Sequence, residues 1–262
     1  MAPADAALAP APEPARSERN VMLVLEYDGT RYHGFQIQAM GVPTVQGELE
    51  RALRQVTGLA TRVAGAGRTD RGVHAAGQVT SFRTRSTLPA GVLQRALNAV
   101  LPSDVAVLAA VDVPPEFHAR FSARSREYRY TILNRPVRSP LERYFTCHVA
   151  TPLDVEAMAE AAQELVGEHD FASFAGAGEE EMSTLRRVLV ADCHREDAKV
   201  FVDMVADAFL PHMVRNIVGT LLRVGMGRLS LAGFREILVA RQRSQAGPTA
   251  PAHGLCLMRV NY

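Results

Sequence analysis

Apolar residues recur along this chain with two different spacings, and the switches between them mark out its elements. Residues 20–29 (NVMLVLEYDG) form an apolar run of strand length that stops at the turn pair Asp28-Gly29. Thr44 then caps a helix, because Val45, Leu49, Leu53 and Val56 recur at helical spacing behind it. Residues 79–82 return to an extended pattern. Pro89 opens a second helix with Val92, Leu93, Ala96, Leu97 and Val100 on one face, and residues 105–111 and 125–133 read as strands. Thr151-Pro152, a cap followed by proline at the first helical position, predicts a third helix with a buried stripe of Val155, Met158, Ala162 and Leu165. Residues 185–193 and 200–207 pair as strands joined near Asp197-Ala198. A helix apolar on nearly all sides runs from Pro211 to Gly225, a shorter one covers 231–241, and 254–262 closes as a strand.

Strands with helices between or after them in each half imply an α+β fold: two antiparallel-rich mixed sheets flanked by helices, with a cleft where the halves meet. Residues 1–19 read as a flexible Ala/Pro tail, 20–147 as the N-terminal half and 148–262 as the C-terminal half. At 262 residues and 47% hydrophobic, the chain can bury one large core or two smaller ones. No apolar run is long enough for a bilayer, and the tail has no basic start followed by an apolar core, so no export signal is expected.

Cys147, Cys193 and Cys256 are widely spaced and odd in number, which argues against a disulfide framework and for a reducing, cytoplasmic home. Cys147-His148 and Cys193-His194 lack metal-ligand spacing and read as strand residues; no metal is expected. The net charge is +1, yet of 29 basic residues only Lys199 is a lysine. Arginine forks onto phosphates and stacks on bases, so the chain is well supplied to hold RNA or DNA.

Three segments concentrate the chemistry. The first is GAGRTDRGVHAAGQV, residues 65–79. If Arg68-Thr69-Asp70 is extended, Arg68 and Asp70 project to one side, where a guanidinium favours an ionised carboxylate. Gly65, Gly67 and Gly72 leave backbone bare for a bulky ligand. Such a carboxylate suits a nucleophile or a stabiliser of a cationic sugar, and the same residues also suit an Asp-capped turn with a surface ion pair. The second segment is AFLPHMVRNIVGTLLRVGMG. Here Arg215 sits in the first turns of an apolar helix, where the dipole disfavours a cation, and a buried arginine there needs a carboxylate partner. Gly219, one turn on, leaves room for a close approach. The third is Arg126-Glu127-Tyr128-Arg129-Tyr130. Its tyrosines share a strand face and are either core or, among Arg124, Arg126 and Arg129, a surface that stacks a base and holds phosphates.

Together with LEYDGTRYHGFQIQ, TVQGELERAL, REYRYTILN, GEHDFASF and TAPAHGLCLMRVNY, these segments resemble the tRNA pseudouridine synthase A family over nearly the whole chain after the tail. The resemblance implies the pseudouridine synthase fold with a central RNA-binding cleft, and conversion of uridine to pseudouridine at nucleotides 38, 39 and 40 of the tRNA anticodon stem-loop. It implies a homodimer, no cofactor and no catalytic metal. By motif, Asp70 of GRTD is the nucleophile, Tyr128 packs against the target base, and Arg215 of MVRN pairs with Asp70. Leu255 of AHGL lines the pocket, and Arg68 takes part in extruding the base. Arg71, Arg62, Arg120 and Arg124 are candidate phosphate contacts. Phe35 stands where the family pattern has tryptophan, and the acidic loop 178–181 is expected to face away from RNA or to be mobile. An RNA chaperone that kept the fold without the chemistry is the rival reading. A phosphate-loop hydrolase is not supported, because GAGRTDRG lacks the Gly-Lys-Ser/Thr ending.

Overall fold

A computed structural model describes residues 18–38, 41–176 and 183–262; most of the expected tail and the acidic loop 178–181 lie outside the described residues. The chain begins with β1 (Arg19–Tyr27), whose Val21, Leu23, Leu25 and Tyr27 alternate inward and are buried. Next comes α1 (Val45–Thr57), started by the Thr44 hydroxyl accepting from the Gly47 amide at 3.2 Å and ended by Gly58 in the left-handed region. Leu49 and Leu53 of α1 are fully buried, at ~2 kcal/mol of transfer free energy each. Then follow β2 (Ala64–Gly65), β3 (His74–Thr84), α2 (Ala90–Val100), β4 (Val105–Val113), β5 (Ser125–Asn134) and β6 (Cys147–Val149). The remainder is α3 (Val155–Gln163), β7 (Gly167–Asp170), β8 (Leu185–Glu196), β9 (Lys199–Ala206), α4 (Met213–Gly225), α5 (Leu231–Ala240) and β10 (Leu255–Asn261).

Among the described residues, all ten strands belong to one mixed sheet in the order β4-β1-β3-β10-β5-β9-β8-β7, with β2 also on β3 and β6 also on β5. The α+β class holds, but the two sheets expected from the sequence are joined into one. The joint is β10, parallel to β3 (Cys256 opposite His74) and antiparallel to β5 (Leu255 opposite Tyr130). Pairing between strands so far apart in sequence leaves no local periodicity to read. In the first half, α2 packs on β4 and α1 on α2; in the second, α3 packs on β8, α4 and α5. Among the described residues, no helix is long and apolar enough to cross a membrane.

Two helix starts differ from expectation. The cap of α3 is Asp154, whose carboxylate accepts from the Ala157 amide at 3.0 Å, so Thr151 and Pro152 stay in the preceding loop. The apolar helix α4 begins at Met213 rather than Pro211, because His212 before it takes a left-handed backbone, φ 58°.

Candidate active site

Asp70 is fixed by its backbone before its side chain is considered. After β2, residues 66–70 form no ladder strand but a pinned loop, from which Arg68 and Asp70 both reach the same cavity. Among the contacts that hold it, the Ala66 amide donates to the Val79 carbonyl (2.8 Å), the Phe35 amide to the Thr69 carbonyl (3.1 Å), the Gln78 side-chain amide to the Gly67 carbonyl (2.8 Å), and the Thr69 and Tyr27 hydroxyls share a bond of 2.7 Å. The Val73 amide closes a turn onto the Asp70 carbonyl at 3.1 Å. The short side chain of Asp70 therefore projects from a rigid frame into a cavity of about 660 Å³ that opens beside the start of α4.

Arg215 reaches the same cavity from α4. Its Nη1 donates to Oδ2 of Asp70 at 2.8 Å, and its Nε donates to the Ala250 carbonyl at 2.8 Å. The guanidinium is 15% exposed and the carboxylate 28%, so water screens the pair poorly. The helix dipole that opposes Arg215 favours the carboxylate lying off the same N-terminus. What fixes the arginine is the segment crossing behind it. The Pro248 carbonyl approaches α4 where Gly219 has no Cβ, and the Ala250 amide donates to the Arg215 carbonyl at 3.0 Å. The room foreseen at Gly219 is taken by this crossing, which carries the chain on to β10 and sets Leu255, 5% exposed, in the cavity wall.

Tyr128 forms another wall, edge-on to Phe209 with ring centroids 5.1 Å apart. Burial, reinforced by Tyr27 and Asp70, raises its phenol well above the ordinary tyrosine value, so it remains a neutral donor. Tyr130 on the same strand is core: fully buried, its hydroxyl donates to the Pro251 carbonyl at 2.8 Å. Arg68 is exposed and lines the cavity; Arg71 is exposed and does not line it. Among the candidate phosphate contacts, Arg120 lies at the cavity and Arg62 points to Glu50 at 3.6 Å.

Two arginines read as part of an RNA-facing surface have other employment. Arg126 donates to the carbonyls of Ala66 (3.0 Å), Arg120 (2.7 Å) and Asp207 (2.6 Å), tying three cavity-bordering segments together. Arg129 forks onto Asp203 at 2.7 and 2.9 Å and lies over the Phe201 ring. His194 of the Cys193-His194 pair sits near Asp192 and Asp203, but Arg129 already neutralises Asp203. All three cysteines are free thiols.

Several cavity residues were not singled out from the sequence, His212 and Phe121 chief among them. His212 places Nε2 3.5 Å from Oδ2 of Asp70, and Phe121 stands at the mouth, 78% exposed. The sequence carried no signal for His212, because a helix starting at Pro211 places it inside the first turn; its left-handed position before Met213 shows only in the backbone.

Among the described residues, one carboxylate lies in this arginine-rimmed cleft, held by an arginine, and the arrangement suits an α+β enzyme with its site between two parts of one sheet. A sequence profile described as tRNA pseudouridine synthase matches residues 23–122 and 161–262, and the chain belongs to that family. It is 50% identical over 242 residues to the tRNA pseudouridine synthase A of Moorella thermoacetica, covering 92% of this chain and 98% of that one. The namesake from Thermoanaerobacter sp. (strain X514) is 45% identical over 93% of this chain and 100% of its own, and that from Roseiflexus castenholzii 48% over 93% and 91%.

Proposed function

We propose that this protein isomerises uridine to pseudouridine at nucleotides 38, 39 and 40 in the anticodon stem-loop of tRNA, with Asp70 as nucleophile. The observation that carries the reading is the 2.8 Å contact of Arg215 with Asp70 at a cavity walled by Tyr128 and Leu255. Residues 20–147 supply the nucleophile and residues 148–262 complete the cleft, as two halves of one catalytic unit. The target nucleotide is flipped out of the stack at a cost of a few kcal/mol, offset by contacts to the backbone; Arg68 helps extrude the base and Arg71 contacts phosphate.

The reaction needs no cofactor, because every atom of the product is already in the substrate. Asp70 either attacks the anomeric carbon or promotes loss of uracil, breaking the C1′–N1 bond. Uracil then turns within the pocket and C5 bonds to C1′, displacing the Asp70 oxygen on the route where it had attacked there; the proton on C5 leaves and N1 is reprotonated. Tyr128 packs against the turning base, and the leucine and tyrosine walls keep water from the intermediate. Arg215 balances the charge of the carboxylate throughout. A homodimer follows from the family resemblance, and three free thiols suit the cytoplasm.

The test is incubation with an unmodified tRNA transcript, followed by mapping of carbodiimide-resistant uridines. Conversion in the anticodon arm by the wild type is expected, together with its loss in Asp70→Ala while tRNA binding persists. No conversion by the wild type, or full activity of the variant, would overturn the proposal; the second result is what an RNA chaperone would give.

A further inference from the structure

His212 is built in a way that costs the protein free energy and places its ring at the nucleophile. Its backbone is left-handed at φ 58° and ψ 1°, a region that glycine and asparagine enter readily and histidine does not. The position directly precedes a helix of 13 residues, yet the side chain makes no capping bond. Asparagine would enter this backbone at lower cost. Gly176 opens space for the ring: a Cβ there would lie 3.1 Å from Nδ1 of His212. Strain held in place by its surroundings gathers at sites where a side chain must be aimed, and this one is aimed at Asp70.

Among the described residues, the two side chains paired with Asp70 meet the same oxygen. Arg215 Nη1 lies 2.8 Å from Oδ2 and His212 Nε2 lies 3.5 Å from Oδ2; among the described residues, no side chain is bonded to Oδ1. Arg215 comes from within α4 and His212 from just before it, so both groups facing this oxygen stand at one helix start.

We infer that His212 is a positioning residue for the nucleophile: its Nε2–H joins the Arg215 guanidinium in holding Oδ2 of Asp70, so that Oδ1 is the oxygen presented to the ribose. The inference rests on the reading of Asp70 as nucleophile. The contact requires the ring proton on Nε2, with Nδ1 turned towards Gly176. At 3.5 Å it is long, and it shortens when the flipped nucleotide fills the cavity, as catalytic hydrogen bonds do on substrate binding. Without His212 the carboxylate swings about its bond to Arg215, and the productive orientation becomes one of several.

Four proteins test this: wild type, His212→Asn, His212→Gln and His212→Gly, with Asp70→Ala as control. The readouts are melting temperature, tRNA Kd, and single-turnover conversion at saturating tRNA. Expected for His212→Asn is a melting temperature no lower than wild type, an unchanged Kd and a rate at least tenfold slower. His212→Gln, whose amide nitrogen reaches the place of Nε2, should recover part of that rate. Added imidazole should speed His212→Gly and leave Asp70→Ala inactive. Rates within twofold of wild type would overturn the inference. So would a rate that falls in step with melting temperature or Kd, which marks a residue needed only for structure. An inactive wild type or an active Asp70→Ala would instead sink the functional reading beneath it.

Discussion

Replacing Arg215 by methionine keeps most of the side chain's apolar length and deletes its charge, leaving Asp70 facing the cavity without its main partner. Two unit charges about 4 Å apart at an effective dielectric of ~20 attract by ~4 kcal/mol. With the groups 15% and 28% exposed, most of that attraction survives screening. The bond from Nε to the Ala250 carbonyl is charge-assisted and contributes ~1.5–3 kcal/mol more. Relief from burying a guanidinium offsets part of the total, and removing one partner of such a pair costs about 3–5 kcal/mol net. At ~2–4 °C per kcal/mol, Arg215→Met should melt roughly 6–20 °C below wild type. The sharper expectation concerns sign. Asp70→Asn keeps an acceptor for Arg215 and should be mildly destabilising alone. In the Arg215→Met background it removes the stranded charge and should raise stability by ~1 kcal/mol or more. Equilibrium guanidinium denaturation of the four proteins measures this cycle. If Asp70→Asn destabilises both backgrounds equally, with coupling below ~0.5 kcal/mol, the pair is not the electrostatic unit described.

Three further outcomes can be checked. Phe121 is 78% exposed at the cavity mouth, its ring 4.5 Å from that of His118 and under the Arg120 guanidinium, so Phe121→Ala should weaken binding of an anticodon stem-loop by ~1–3 kcal/mol. Fluorescence anisotropy measures it, and an unchanged Kd rejects a stacking role. Gly219→Ala puts a methyl group into the Pro248 carbonyl, and a loss of ~1–3 kcal/mol is expected on thermal melting; a melting temperature equal to wild type would mean that the crossing is loose. Burial pushes the thiols of Cys193 and Cys256 up to about 12 and about 11 from 9.0. Above pH 9 the unfolded chain therefore releases protons that the folded chain keeps, and stability falls as pH rises from 9 towards 12. The double Cys193→Ala/Cys256→Ala variant should show a shallower alkaline decline, and an identical one refutes the assignment.

Much of this was legible because local pattern and tertiary role agree. The stripe of α1, its Thr44 cap and the β8–β9 turn at Asp197 follow from short-range spacing. Arg215 announced a partner by standing in the first turn of an apolar helix, and Asp70 stood out between Arg68 and Arg71. Their pairing spans 145 positions, which no periodicity encodes, and came only through family resemblance. Arg126 and Arg129 misled for a definite reason: charge along a strand does not distinguish a guanidinium that satisfies backbone carbonyls from one that awaits phosphate. Thr151 and Asp154 are comparable caps, and only packing chose between them. The single sheet was hidden because β10 joins strands whose own patterns are complete without it.

The place of β10 has a consequence for synthesis. The ribosome makes β3 and β5 long before residues 255–261, with ~120 residues to translate after β5 ends. At ~5–20 residues per second, the edges awaiting β10 stay open for roughly 6–24 seconds in every nascent chain. Such edges are templates for pairing with a neighbouring chain. A polysome crowded with these half-zipped products is where this protein is most exposed to aggregation, and ribosome-bound chaperones are the natural guard for that interval.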